Sequence, residues 1–343
     1  MTPARFNEIT SRYASLRLAV VGDFCLDRYL EIDPAMQETS IETGLPVHNV
    51  VNVRSQPGGA GTVTNNLVSL GVLTIHTIGF RGEDGEGFEL ENALSGLRGV
   101  RPGGFVRTPL RRTFTYCKPL VVSPGRPPVE LNRLDSKNWS PTPAVVTGEV
   151  MRALNVVLPS LDALVVLDQV NVADTGVVTT ALLGALQTAL ERYPVKTVIG
   201  DSRRSLRGWP DVMLKMNAAE LAALTGMAAT SNMADFCAVA RKLAHTHGRN
   251  VFVTLSERGI IGATPAGEVA HVAAPPARGP IDVVGAGDAV TANLAAALAA
   301  GATLRESLEL AMAAASIVVH QLGTTGTAGV EQIRALLVAE ARS

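Results

Sequence analysis

Residues 282–288 read Asp-Val-Val-Gly-Ala-Gly-Asp, and the chain beyond them carries Val290, Leu294 and Leu298 at four-residue spacing before Gly301. That spacing predicts a helix with one apolar stripe, stopped at the glycine. Gly285 and Gly287 let the backbone approach a ligand without side-chain obstruction. The first amides of a helix lack internal acceptors, and the helix dipole is positive there. With Ala286 between the two glycines, the turn predicts a cup for a phosphate or for the charge of a phosphoryl group in transfer. Asp288 lies in the first turn, where a carboxylate can take the proton of an alcohol attacking phosphorus. The competing possibility is an ordinary glycine turn followed by a favourable first-turn acid. The stretch is not a dinucleotide fingerprint, which needs a third glycine, nor a Walker A loop, which needs Gly-Lys-Ser/Thr.

Upstream, short apolar runs at Leu16–Val21, Ala163–Leu167, Val195–Ile199, Val212–Met216 and Val251–Leu255 read as buried strands, with helix-spaced stretches between them. This alternation predicts an α/β fold with a mostly parallel sheet covered on both faces. Polar residues follow the runs: Gly22-Asp23, Asp168, Gly200-Asp201, Asn217 and Ser256. In such sheets the ligand crevice lies outside the carboxyl ends of the strands, although each of these residue types also suits a helix cap. Residues 30–56 and 105–135 break the rhythm. They are rich in β-branched residues, Pro and Thr, and read either as antiparallel strands appended over the crevice or as plain surface loops.

Gln56-Pro57-Gly58-Gly59-Ala60-Gly61 opens a second helix, striped by Val63, Leu67 and Leu70 and closed by Gly71. Its small residues allow close approach of a polyol. Asp23 and Asp27 flank the end of the first strand and can grip sugar hydroxyls as paired acceptors; a salt bridge to Arg28 is the plainer alternative for Asp27. Asn217 and Glu220, three apart, can hold a hydrated Mg²⁺ or form a capping box. The six His show no zinc spacing.

The 343 residues carry 30 Lys+Arg against 31 Asp+Glu, so no basic excess attracts nucleic acid or an anionic membrane. Hydrophobic residues make up 47%, enough for a large core. Cys25, Cys117 and Cys237 are scattered and odd in number, which fits a reducing cytoplasm. The polar Met1–Thr10 stretch has no signal-peptide run, and the Ala-rich segment 289–300 is too short and too polar for a membrane span.

Asp282 to Asp288 with Ala289 resembles the C-terminal motif of the PfkB-type, ribokinase-like sugar kinases, Asp-Thr-x-Gly-Ala-Gly-Asp, with Val283 in the Thr position. Gly58-Gly59 and its helix resemble the N-terminal motif of the same family. The likeness runs from about Leu16 to Val330. Within the family, the heptose-7-phosphate kinase branch is the most similar. It is matched by Val20–Tyr29, Gln56–Ala60, Asn132-Arg133-Leu134-Asp135, Val253–Gly259 and Leu322-Gly323-Thr324.

The resemblance implies a single three-layer α/β/α domain over 1–343 with a small β lid at about 30–56 and 105–135. It implies phosphoryl transfer from ATP to a sugar or sugar-phosphate hydroxyl. Asp288 would be the base and the amides of Gly285, Ala286 and Gly287 the anion hole. Asp23, Asp27, Gly58, Gly59, Thr62 and Arg133 would face the sugar. Asn217 and Glu220 would act on Mg²⁺-ATP through water, and Thr254, Ser256 and Gly259 would line the nucleotide's phosphates. Many relatives also bind a monovalent cation beside the Asp282 turn. The heptose branch can be fused to a nucleotidyltransferase domain, for which a chain ending at Ser343 leaves no room. A β lid with free edges and apolar faces predicts a homodimer through it.

The chain departs from the branch in its acceptor pocket. Thr62 replaces a sugar-contacting Asn, and Leu167–Asn171, Asp201-Ser202-Arg203-Arg204 and Lys215-Met216-Asn217 replace Ser-Asp-Tyr, Asp-Pro-Lys-Gly and Thr-Pro-Asn. Arg203, Arg204, Arg111 and Arg112 are candidate ligands for a phosphate already on the acceptor. Two alternatives stand beside the kinase: a non-catalytic sugar or nucleotide sensor on the same fold, and a nucleoside kinase with Phe24, Tyr29 and Phe114 as the candidate base slot.

Overall fold

The computed structural model describes residues 1–228 and 232–340. Among these residues the central sheet has nine strands, in the order Val269–Val272, Ile260–Ala263, Val251–Thr254, Met213–Asn217, Thr197–Ser202, Ala163–Asp168, Arg17–Gly22, Thr74–Gly82 and Val100–Thr108. From Val251–Thr254 to Val100–Thr108 all neighbours run parallel. The first two strands extend the sheet antiparallel.

Two-sided burial explains why these strands are apolar at nearly every position. Leu18, Val20, Val165 and Leu167 share one core with helices Ala60–Ser69, Ala286–Ala299 and Leu304–Val318. Ala19, Val21, Leu164 and Val166 share the other with helices Ala144–Val157, Thr180–Arg192 and Met233–His247. The result is the three-layer α/β/α arrangement, and the two helices anticipated after Gly59 and Gly285 are both present.

A second sheet runs Leu134–Ser136, Phe114–Val121, Phe24–Ile32, Val50–Gly59, with Val129–Glu130 beside Phe114–Val121. It grows from the carboxyl end of the first central strand, Asp23 alone separating Gly22 from Phe24. The expected appendage therefore starts earlier than residue 30 and runs past residue 56. Residues 105–108 do not belong to it. They end the edge strand Val100–Thr108, which pairs in parallel with Thr74–Gly82. No apolar run marked these two strands, because Gly79, Gly82, Pro102, Gly103 and Gly104 interrupt the pattern.

Candidate active site

The carboxyl ends of the central strands and the inner side of the second sheet bound a cleft of about 1040 Å³. At its floor, Gly285 takes a left-handed conformation with φ 82°, which turns the chain into helix Ala286–Ala299. Asp282 fastens the turn: its amide donates to Val319 O at 2.7 Å, and its Oδ1 accepts the Val284 amide at 3.0 Å. The Ala286 amide donates to Val283 O at 3.2 Å. The amides of Gly285, Gly287 and Asp288 have no acceptor among the described residues. The anion hole expected from Gly285, Ala286 and Gly287 is therefore corrected: the turn consumes the amide of Ala286, and that of Asp288 is the free one.

The Asp288 carboxylate lines the cleft. It makes no hydrogen bond or ion pair with any described residue. Burial and the nearby Asp201 carboxylate push it up to about 7, against the pull of Lys215 and Arg203. Asp201 and Lys215 are register partners on adjacent parallel strands, joined at 2.8 Å between Oδ2 and Nζ. Both line the cleft, as does Arg203.

Asn217 caps helix Ala218–Thr225, and both bonds of the capping box form: Glu220 N–H donates to Asn217 Oδ1 at 2.9 Å and Asn217 N–H donates to Glu220 Oε2 at 2.7 Å. Both residues also line the cleft. Burial raises the Glu220 carboxyl despite the Asn217 amide. Its Oε1 has no partner among the described residues, so one hard oxygen remains for a hydrated cation, and no cluster of three His, Cys, Asp or Glu offers a direct cage among them.

The second sheet supplies the opposite wall. Asp27 is buried and faces Lys118 Nζ at 3.4 Å; burial still raises its carboxyl. Lys118 and the Arg54 guanidinium both lie over the Tyr29 ring, at 4.8 and 4.6 Å from its centroid. Arg133 stacks on Tyr116 at 4.9 Å and pairs with Asp135. Gly59, Thr62 and Cys25 line the base of this wall. Thr62 Oγ1 is buried without a hydrogen-bond partner.

Several expected residues stand elsewhere. Asp23 is buried, and its carboxylate accepts the Gln169 and Val177 amides at 2.7 and 2.6 Å. It stitches the first strand to the loop after Asp168, so its expected pairing with Asp27 on a sugar is corrected. Gly58 does not line the cleft. A Cβ there would come within 2.6 Å of Asp27 Oδ2 and 2.8 Å of Cys25 Sγ, so its part is to leave room for those side chains. Thr254, Ser256 and Gly259 also lie outside the lining. Thr254 pairs in register with Asn217, and Ser256 and Gly259 shape the turn into Ile260–Ala263, where Gly259 packs directly on Val272 O.

Of the four arginines suggested for an acceptor phosphate, Arg203 alone lines the cleft. Arg111 is buried on Ser140 O and Thr175 O, Arg112 is exposed, and Arg204 pairs with Asp168 at 2.9 Å. Phe24 and Phe114 are core residues, packed on Phe105 and Phe80. Lys118, Arg54, Tyr116 and Lys215 went unread as site residues. The one signal for Lys215 was a charge inside an apolar strand.

A parallel α/β sheet with a glycine-turned helix start at its carboxyl edge and a small sheet across the crevice defines the ribokinase-like kinase fold. Arabidopsis thaliana ribokinase, solved with ribose and ATP, matches with TM-score 0.66 and 21% identity, covering 94% of this chain and 98% of that one. Phosphofructokinase-2 from Escherichia coli, solved with substrates and products, matches with TM-score 0.71 and 17% identity, covering 95% of this chain and 100% of that one. Residues 195–329 match the model of the pfkB family carbohydrate kinases. Two curated relatives named bifunctional protein HldE, from Azorhizobium caulinodans and Gluconacetobacter diazotrophicus, are each 31% identical over 90% and 96% of this chain. The chain spans only 61% and 65% of their lengths.

Proposed function

We propose that the protein transfers the terminal phosphoryl group of ATP to a hydroxyl of a sugar phosphate. The observation that carries this is the unpartnered Asp288 carboxylate beside the unshared amides of Gly285, Gly287 and its own. Asp288 takes the proton of the acceptor hydroxyl as that oxygen bonds to the γ-phosphorus. The bond from phosphorus to the β–γ bridging oxygen breaks, and its electron pair leaves with ADP. The amides meet the charge on the phosphoryl oxygens. Asp27 and Thr62 accept and orient acceptor hydroxyls. Arg133, Lys118, Arg54 and Arg203 offer charge to a phosphate already on the acceptor, which supports a heptose-phosphate-like substrate.

Asn217 and Glu220 would hold Mg²⁺ through water, and the ion would neutralise nucleotide phosphate charge when bound. We include a monovalent cation at the Asp282 turn on sequence resemblance alone; comparing turnover in potassium and in tetramethylammonium salts tests it. Cytoplasmic residence fits the three free thiols; among the described residues no helix is long and apolar enough to cross a membrane. A homodimer through the second sheet is supported by its exposed Val51, Val53, Val129 and Leu134, and sedimentation as a monomer at working concentration would overturn it.

The central test is ADP formation across a panel of sugars, sugar phosphates and adenosine, with wild type and Asp288→Asn. Replacement of the base is expected to cost about 10²–10⁴-fold in kcat with ATP affinity nearly unchanged. Undiminished turnover would refute the assigned base. Tight ligand binding with no ADP from any acceptor would favour a non-catalytic sensor.

A further inference from the structure

Lys215 is 6% exposed and lies on a strand between the buried Leu214 and Met216. An ammonium is costly to bury unless it is paired. Its pairing is specific: Nζ donates to Asp201 Oδ2 at 2.8 Å. Thr291 shares its hydroxyl between that same Oδ2, at 2.9 Å, and Gly287 O, at 3.1 Å. The pair is thereby tied to the first turn of the helix that carries Asp288. Nζ lies 3.2 Å from where a Cβ on Gly287 would stand. Asp201 is its hydrogen-bond partner among the described residues, and an ammonium has three donors.

Stability does not account for this arrangement. Well-packed apolar residues in place of a buried ion pair are often as stable or more so. The placement is also unfavourable by itself, because a fixed cation stands beside the positive end of a helix dipole. Both features repel each other and both attract an anion placed between them. The carboxylates whose charge favours the Lys215 ammonium are those of Asp201, Asp288 and Glu220. Of these, Asp201 holds it by hydrogen bond, Asp288 is the group assigned to the acceptor's proton, and Glu220 is committed through Oε2 to its helix cap.

We propose that Lys215 is a catalytic residue whose ammonium donates to a non-bridging oxygen of the phosphoryl group during transfer, with Asp201 and Thr291 as its positioning residues. The inference rests on the phosphotransfer reading above. No bond is made to nitrogen. The acceptor oxygen–phosphorus bond forms and the bridging oxygen–phosphorus bond breaks while Lys215 stays protonated.

Lys215→Met alone leaves the buried Asp201 carboxylate without its cation, with the Thr291 hydroxyl still donating to it, so a fall in activity could reflect misfolding. The double variant Asp201→Asn/Lys215→Met removes the pair as a unit. It is expected to lose about 10²–10³-fold in kcat, the loss typical of one well-aimed donor, with acceptor KM within about twofold of wild type. Calorimetry is expected to show wild type binding ATP more tightly than ADP and the double variant with that preference reduced, a readout that a purely structural pair would not move. A folded double variant with wild-type kcat and an unchanged ATP-to-ADP affinity ratio overturns the proposal and leaves the phosphotransfer reading intact. Absence of ADP from the wild-type protein with every acceptor overturns that reading, and this proposal with it.

Discussion

The main-chain carbonyl of Asp23 accepts the amide of Ala60 at 3.0 Å. This bond joins the end of the first central strand to the start of helix Ala60–Ser69, just where the chain returns from the second sheet. It passes beside Gly59, which sits at φ 57° and ψ −119°. A Cβ on Gly59 would stand 2.5 Å from the Asp23 carbonyl oxygen. The junction lies beside Asp23, which stitches the first strand to the loop after Asp168, and close in sequence to Asp27, which lines the cleft.

Gly59→Ala is therefore expected to destabilise the fold by about 1–3 kcal/mol, the cost of holding a non-glycine residue in a sparsely allowed conformation, with the carbonyl contact adding to it. Denaturant melts of wild type and variant check this. An unchanged midpoint would mean that the junction relaxes freely.

Thr62→Val separates fold from function. The Thr62 hydroxyl is buried and unpartnered, so its removal should leave stability unchanged or raise it by about 1 kcal/mol. If the hydroxyl serves the acceptor, the same variant should show a higher acceptor KM with ATP affinity unaltered. A stabilised enzyme with wild-type acceptor KM would remove Thr62 from the site.

Activity should fall towards acid. Asp288 is pushed up to about 7, and only its ionised form takes a proton. Below that pH the rate should drop about tenfold per unit, and above it reach a plateau. Lys215 holds the Asp288 pKa down, so Lys215→Met, where folded, should move the acid limb to higher pH. A flat kcat profile between pH 5 and 8, a range about the size of a typical catalytic titration, would argue against Asp288 as base.

Arg133→Met tests the acceptor's charge. Loss of one charge-assisted hydrogen bond is expected to raise KM for a phosphorylated sugar by roughly 10- to 100-fold, with no change for an unphosphorylated one. Equal effects on both acceptors would place Arg133 outside phosphate recognition.

Much of the architecture could be read along the chain. Leu16–Val21 and Ala163–Leu167 announced strands because both faces are buried, and Val290, Leu294 and Leu298 announced a helix because one turn covers 3.6 residues. The sharp turn into helix Ala286–Ala299 was legible from Gly285, whose freedom is a property of the residue itself. Asn217 and Glu220 were legible as a capping box and as cleft residues, and they are both. The strands at 74–82 and 100–108 were not, because their glycines are tolerated only through pairing with neighbours far along the chain.

The amino-acid order by itself determined which segments become strands and helices and where the backbone can turn sharply, since those choices depend on contacts within a few residues. Tertiary structure alone decided which polar groups face one another. Asp23 met backbone amides from residues 169 and 177 rather than the open cleft. Lys215 came to lie between Asp201 and the turn at Gly287 through sheet register and helix docking. A charged side chain in low dielectric takes its role from whichever partner the packing brings within about 3 Å, and no local pattern records that distance.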